Sequence, residues 1–286
     1  MKEKVSNSEW DLVISPKSSL FDLNLQELWR YRDLMVLFVK RDFIAQYKQT
    51  ILGPLWHIIQ PILTTLMFLL VFGRIAKIST DGINPILFYL SGITIWSYFS
   101  ACITNTSNTF VTNASIFGKV YFPRLVLPIS VIMSNLVRLL IQFGLLIIMI
   151  IYFHFNGTAF NFSINILLVP LIIIIVAGLA LGLGLIISAL TTKYRDFTVL
   201  LGFAVQLGMY ITPIAYPLSF IEDKSYKWLI MLNPLSPLIE AFRFALFGKG
   251  IFSITSISYS CLFMSICLII GVLIFNKVEK SFMDTV

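Results

Sequence analysis

Long apolar runs alternate along this chain with short polar interruptions, and the run lengths predict its elements. Runs at 55–73, 85–103, 125–153, 164–190, 198–215 and 254–275 approach or exceed the about twenty residues a helix needs to cross a bilayer. The third is long enough to tilt or to project from the membrane. The expected fold is an all-α integral membrane protein with six transmembrane helices. Ahead of the first run the period changes. Leu28, Tyr31, Met35 and Phe38 recur at i, i+3, i+7 and i+10, while Arg30, Asp33 and Lys40 fall off the stripe. That pattern predicts an amino-terminal amphipathic interfacial helix, with Asn24 and Glu27 spaced as a capping box. Residues 1–21 read as an irregular polar lead.

The interruptions carry information of their own. At 40–61 (KRDFIAQYKQTILGPLWHIIQP) a charged segment turns into the first span, Trp56 and His57 sit at headgroup level, and Gln60 precedes Pro61, which should force a bend or an early turn. Residues 104–124 are too polar to span and should lie in the cytoplasm as a short helix, an ordinary polar loop being the other reading. Between the fifth and sixth spans, the apolar pieces at 226–232 and 235–247 are too short to cross and are cut by Pro217, Pro234 and Pro237. They predict short re-entrant or interfacial outer helices. In the fourth span Gly178 and Gly182 make a G-x-x-x-G face that permits close helix approach. The organisation is thus 1–54 lead and interfacial helix, 55–276 membrane domain and 277–286 tail.

Composition excludes a soluble globular domain: 58% of residues are hydrophobic and 12% charged, with a mean hydropathy of +0.89. Nothing in MKEKVSNSEWDL resembles a signal-peptide core, so the amino terminus should stay in the cytoplasm. Cys102, Cys261 and Cys267 lie in or beside apolar runs and read as small hydrophobes. The net charge of +7 is dispersed beside the spans, which suits membrane topology better than nucleic acid. Placing Lys40, Arg41, Lys48, Lys119, Arg124, Lys193 and Arg195 inside, against Arg74, Lys77, Lys224, Lys227, Arg243 and Lys249 outside, favours both termini in the cytoplasm.

Three ordered stretches carry a family resemblance: KRDF, YKQTILGPLW and QP at 40–61; FPR at 122–124 and KYRDF at 193–197; then TPIAYPLS, LNPLSP and EAFR between the last spans. Together they resemble the permease subunit of type-2 ABC exporters that move lipid-linked polysaccharide of the O-antigen, capsule or teichoic-acid kind. The resemblance implies a homodimer in the bacterial cytoplasmic (inner) membrane, served by two ATP-binding subunits that hold ATP and Mg, with an undecaprenyl-type lipid-linked glycan as substrate. It also implies contact with the ATPase subunit through Arg41, Asp42, Tyr47, Lys48, Asn113, Ile116, Phe117 and Lys119. An outer gate is implied at Tyr216, Pro217, Asn233, Pro234, Glu240 and Arg243.

The residues themselves narrow the chemistry. The Gly-Lys pairs at Gly118 and Gly248 lack the rest of a nucleotide-binding loop, so no cofactor is expected in this chain. His57 and His154 have no ligand-spaced partner, and metal is not expected. No Asp or Glu falls inside the six expected spans, which disfavours proton-coupled transport and a membrane-embedded glycosyltransferase or acyltransferase. Arg138 is the ionisable side chain well inside a span. It either faces an interior path, where it would meet a pyrophosphate group, or snorkels to the cytoplasmic end. Tyr89, Ile93, Trp96 and Ser100 share one face of the second span, and Phe203, Gln206, Tyr210 and Pro213 one of the fifth. Aromatic and polar side chains in such stripes suit a sugar path, with Tyr89, Trp96, Arg138, Phe203, Gln206 and Tyr210 as its candidates; lipid-facing or interhelical packing is the other reading of the same stripes. Glu240 and Arg243, at i and i+3, also suit simple mutual pairing. A drug or simple-lipid ABC permease would share the topology but should lack the Gln60-Pro61 and Asn233-Pro234 contexts, and a non-ABC secondary transporter is the other alternative, weakened by the lack of an inverted repeat between the halves.

Overall fold

The computed structural model describes residues 25–117, 122–157, 164–194 and 196–282, and every regular element among them is helical. The chain opens with α1 (Leu25–Arg30) and α2 (Arg32–Tyr47). A 3₁₀ turn, Gly53–Leu55, leads into α3 (Trp56–Phe68), which continues as a π-helical stretch, Leu69–Ile75. Then come α4 (Pro85–Ser107), α5 (Thr109–Phe117), α6 (Val126–Phe155), α7 (Leu168–Lys193), α8 (Asp196–Ile211), α9 (Lys227–Met231), α10 (Leu235–Phe247) and α11 (Ile254–Phe282).

Among the described residues five segments are long and apolar enough to cross a membrane: Gly53–Ile75, Pro85–Ser107, Val126–Phe155, Ile164–Lys193 and Ile254–Val278. The expected fifth span at 198–215 differs. Its helix, α8, has 16 residues, about 24 Å at 1.5 Å per residue, against a hydrocarbon core of about 30 Å. The local cause is Pro213, which has no N–H to continue the helix and biases Thr212 away from helical geometry. Ile214 and Ala215, counted as span by hydropathy, instead sit buried in the turn that follows.

α4 is the central helix. Asn84 caps it, its Oδ1 accepting from the Ile86 amide at 3.0 Å, with Pro85 in the first turn. Most of its residues are buried, and it packs against α3, α6, α7 and α10. The largest helix interface joins α7 to α11. There Gly182 does what the G-x-x-x-G pattern predicts: a Cβ on it would lie 2.7 Å from the backbone of Cys267 and Leu268. The two backbones approach because Gly182 offers no side chain.

Of the bend or early turn expected at Pro61, the early turn does not form: α3 runs through Pro61 to Phe68 as one helix, and its hydrogen-bond pattern changes further along, at Leu69–Ile75. Packing of α3 on α4 and α6, with Pro61 itself buried, outweighs the missing donor. The stripe on α1 and α2 does face inward: Leu28 and Phe38 are buried, and Tyr31 and Met35 partly so, in a cluster with Phe110, Val126, Leu127 and Phe275. The opposite side is not simply polar, because Trp29, Val36, Leu37 and Ile44 are exposed there. Cys102 and Cys267 are buried and Cys261 is exposed, all as free thiols.

Candidate functional site

A cavity of about 670 Å³ lies where the end of α2 meets α3, α4 and α6. Each helix contributes through a short spacing. On α6, Asn135, Arg138 and Gln142 recur at i, i+3 and i+7 and put a polar face on an otherwise apolar 30-residue helix. α4 adds Trp96 and Ser100, and α3 adds His57, Gln60 and Thr64.

The polar groups are linked. Arg138 Nη1 donates to Asn135 Oδ1 at 3.0 Å, and Asn135 Oδ1 also accepts from Asn105 Nδ2 at 3.5 Å. Arg138 Nη2 donates to Gln46 Oε1 on α2. The neighbouring Tyr47 hydroxyl bonds His57 Nε2, so two polar links hold the end of α2 against the bundle. Burial pushes the Tyr47 phenol above its ordinary value, with the Arg138 charge pulling the other way. The described lining includes no carboxylate. Asp42, near by on α2, is engaged by Arg41, which donates to it from Nε at 2.9 Å and from Nη2 at 2.7 Å. Arg138 thus bonds the amide oxygens of Asn135 and Gln46 and the Tyr47 phenol, and none of these partners is a carboxylate.

Of the expected path residues, Trp96 and Arg138 meet at this cavity. Tyr89 does not; it is fully buried against Phe68 and Phe88. Phe203 and Tyr210 are 63% and 57% exposed, and Gln206 is exposed on the same outward side of α8. That helix sends Met209 alone to the described cavity wall.

The segments expected to contact an ATPase adjoin one another. Arg41 of α2 reaches α5, its Nη2 donating to Asn113 Oδ1 at 3.4 Å, and its guanidinium stacks over Phe38 at 4.8 Å. α5 is kinked at Asn113, whose φ of −110° and ψ of 16° are not helical and whose Nδ2 donates to the Thr109 carbonyl at 3.1 Å. Ile116 packs on the cluster below α1 and α2, and Lys48 follows directly on α2. Phe117 ends α5, but its side chain lies outside the described residues, as does all of Lys119.

The expected gate residues gather around the turn after α8. Arg243 of α10, 0% exposed, pairs with Glu240, 1% exposed, at 2.9 Å. It also donates from Nη1 to the Pro213 carbonyl at 2.8 Å and from Nη2 to the Ile214 carbonyl at 3.0 Å, and its guanidinium lies 3.5 Å from the Phe88 ring centre on α4. Gly92 of α4 makes room, since a Cβ there would stand 2.9 Å from Arg243 Nη2. Asn233 Nδ2 donates to Thr212 Oγ1 at 2.8 Å while its Oδ1 accepts from the Leu235 amide at 3.1 Å, just beyond Pro234. The Tyr216 hydroxyl donates to the Ile211 carbonyl at 2.8 Å, and Pro217 leads into a 3₁₀ turn that buries Leu218 and Ile221. These contacts fasten α8's end, α4 and α10 together.

Gln46, His57, Asn135 and Gln142 were not singled out for the path from the sequence. A signal was present in the spacing of Asn135, Arg138 and Gln142. For Gln46 and His57 there was none, because their roles depend on how α2 folds back on α3 and α6.

The family model described as ABC-2 type transporter matches residues 33–247. An O-antigen export system permease protein RfbA from Klebsiella pneumoniae is 29% identical over 252 residues, 88% of this chain and 94% of the relative. A protein of the same description from Myxococcus xanthus is 28% identical over 220 residues, 77% of this chain and 82% of its own.

Proposed function

The chain belongs to the ABC-2 type transporter family, and from that premise we propose that it is the permease subunit of an exporter for a lipid-linked polysaccharide. It is a multi-pass membrane protein and a transport permease. The observation that carries the substrate class is the near full-length match to proteins described as O-antigen export permeases. Those descriptions favour a glycan over a drug or simple lipid. Membership of the family implies an ABC ATPase as partner, and hydrolysis belongs to that separate chain.

In this reading the cytoplasmic membrane holds a homodimer with two ATPase chains, both termini on the cytoplasmic side. α1 and α2 lie at the inner interface, the path from α8 through Ile214 completes a sixth crossing, and α9 and α10 re-enter from the outer face. The ATPases push on α2 and α5, which the Arg41–Asn113 contact places side by side. One chain has too few spans to enclose a wide conduit. The exposed aromatic face of α8, with Phe203, Gln206 and Tyr210, and the exposed Leu63, Leu66 and Met67 of α3 would then line or close a passage between two copies. An undecaprenyl-type glycan would cross there.

Deletion of the reading frame in its host tests this proposal. Lipid-linked glycan should accumulate inside the cell and vanish from the surface, and the intact chain should restore it. Unchanged surface glycan in the deletion strain would refute the reading.

A further inference from the structure

The cavity beneath α2 has a property that its lining alone does not convey: its cation is occupied by the very helix that covers it. Arg138 Nη2 donates to Gln46, the next-to-last residue of α2, and Tyr47 at the end of that helix bonds His57. Both links are polar, both join α2 to spans, and Gln46 is exposed at the cavity mouth. A guanidinium bonds a phosphoryl oxygen about twice as strongly as it bonds a neutral amide, and bidentately. The described lining holds no carboxylate to compete with an anion for Arg138, and Asp42, whose charge reaches Arg138 from α2, is bonded to Arg41.

We infer that Gln46 and Arg138 form a ligand-displaced latch: a phosphoryl head group entering the cavity takes Arg138 from Gln46 and undoes one of the two polar links that hold the last turn of α2, leaving Tyr47 on His57. The ligand chemistry is a phosphate or diphosphate ester on a lipid, from either the glycan carrier or a bilayer phospholipid. The exchange is non-covalent, with one amide-to-guanidinium bond replaced by an ion-paired fork. It deepens the export reading, because it would report an occupied cavity to the helix that adjoins α5. It rests on that reading only for which lipid matters.

The sign of the Gln46 effect separates a latch from a merely structural bond. If Gln46 competes with the ligand, Gln46→Ala should tighten binding, whereas Gln46→Glu should lock Arg138 in an ion pair and weaken it. Arg138→Gln should remove binding. Gln46 is exposed, so its variants should fold as the parent does.

The experiment uses the full chain in nanodiscs of zwitterionic lipid, with Cys261→Ser and a solvent-sensitive fluorophore on Ile44→Cys, an exposed α2 position. A polyprenyl diphosphate, phosphatidylglycerol and inorganic diphosphate are titrated separately. The expected result is a fluorophore response to at least one lipid, severalfold tighter in Gln46→Ala, at least tenfold weaker in Gln46→Glu and absent in Arg138→Gln. Preference for the polyprenyl diphosphate identifies the carrier as the source, and preference for phosphatidylglycerol identifies the bilayer; either supports the latch. Binding unchanged by both Gln46 variants, binding weakened in Gln46→Ala, or no Arg138-dependent binding of any of the three overturns it. None of these results depends on export, so failure of the latch is distinguishable from failure of the transport reading.

Discussion

Replacing Arg243 with methionine should cripple folding, and the structure gives the size of the effect. The guanidinium neutralises Glu240 at 2.9 Å, with neither side chain more than 1% exposed. Removing one partner of such a buried pair costs about 3–5 kcal/mol, because the other charge stays buried without compensation. The Pro213 and Ile214 carbonyls, bonded at 2.8 and 3.0 Å, lose their donors as well, at about 1 kcal/mol or more each. Arg243→Met should therefore lose about 5–7 kcal/mol, a large part of the stability of an ordinary domain. Adding Glu240→Met removes the stranded charge and should recover about half of that loss, though not the carbonyl contacts. Reversible denaturation of the purified protein in mild detergent, with all four members of the double-mutant cycle, measures both quantities. A loss below about 1 kcal/mol in the single variant, or a double variant less stable than Arg243→Met, would refute the reasoning.

Gly182→Val should destabilise by about 1–3 kcal/mol, because any Cβ there meets the α11 backbone; Gly144→Ala, where nothing lies within 4 Å, should be neutral or stabilising in the same thermal-unfolding assay. Asn84→Ala removes the α4 cap bond and should cost about 1 kcal/mol by denaturation. Arg138→Ala should abolish surface glycan in cells that still insert the protein. Normal surface display would end the substrate role of the cavity.

The membrane class, most helix positions and a close-approach face on α7 were legible in the sequence, since each rests on local composition or spacing; that α11 is the helix meeting that face was not. Gly178 and Gly182 announce a close approach by what they lack. The extent of α8 was not legible. A hydropathy run does not see Pro213 ending the helix early and turning Ile214 and Ala215 into a buried loop. The period gave only one face of the amino-terminal helices: the inward stripe is real, but Trp29, Leu37 and Ile44 are exposed elsewhere on them, so the rest is not simply polar. The cavity shows the same limit. The spacing of Asn135, Arg138 and Gln142 predicts a polar face, but Gln46 and His57 join it only through the return of α2 and α3. Glu240 and Arg243 read from their spacing as a local pair, with a gate role implied only by the family resemblance. The structure adds the carbonyls of Pro213 and Ile214, contacts no spacing rule contains.

On the proposed function, this chain supplies a path and a separate ATPase supplies the force. Purified permease in proteoliposomes, with a labelled lipid-linked glycan loaded on the ATPase-facing side, measures that division of labour. Glycan translocation should need both the ATPase chain and hydrolysable ATP. Translocation at the same rate by the permease alone would contradict it.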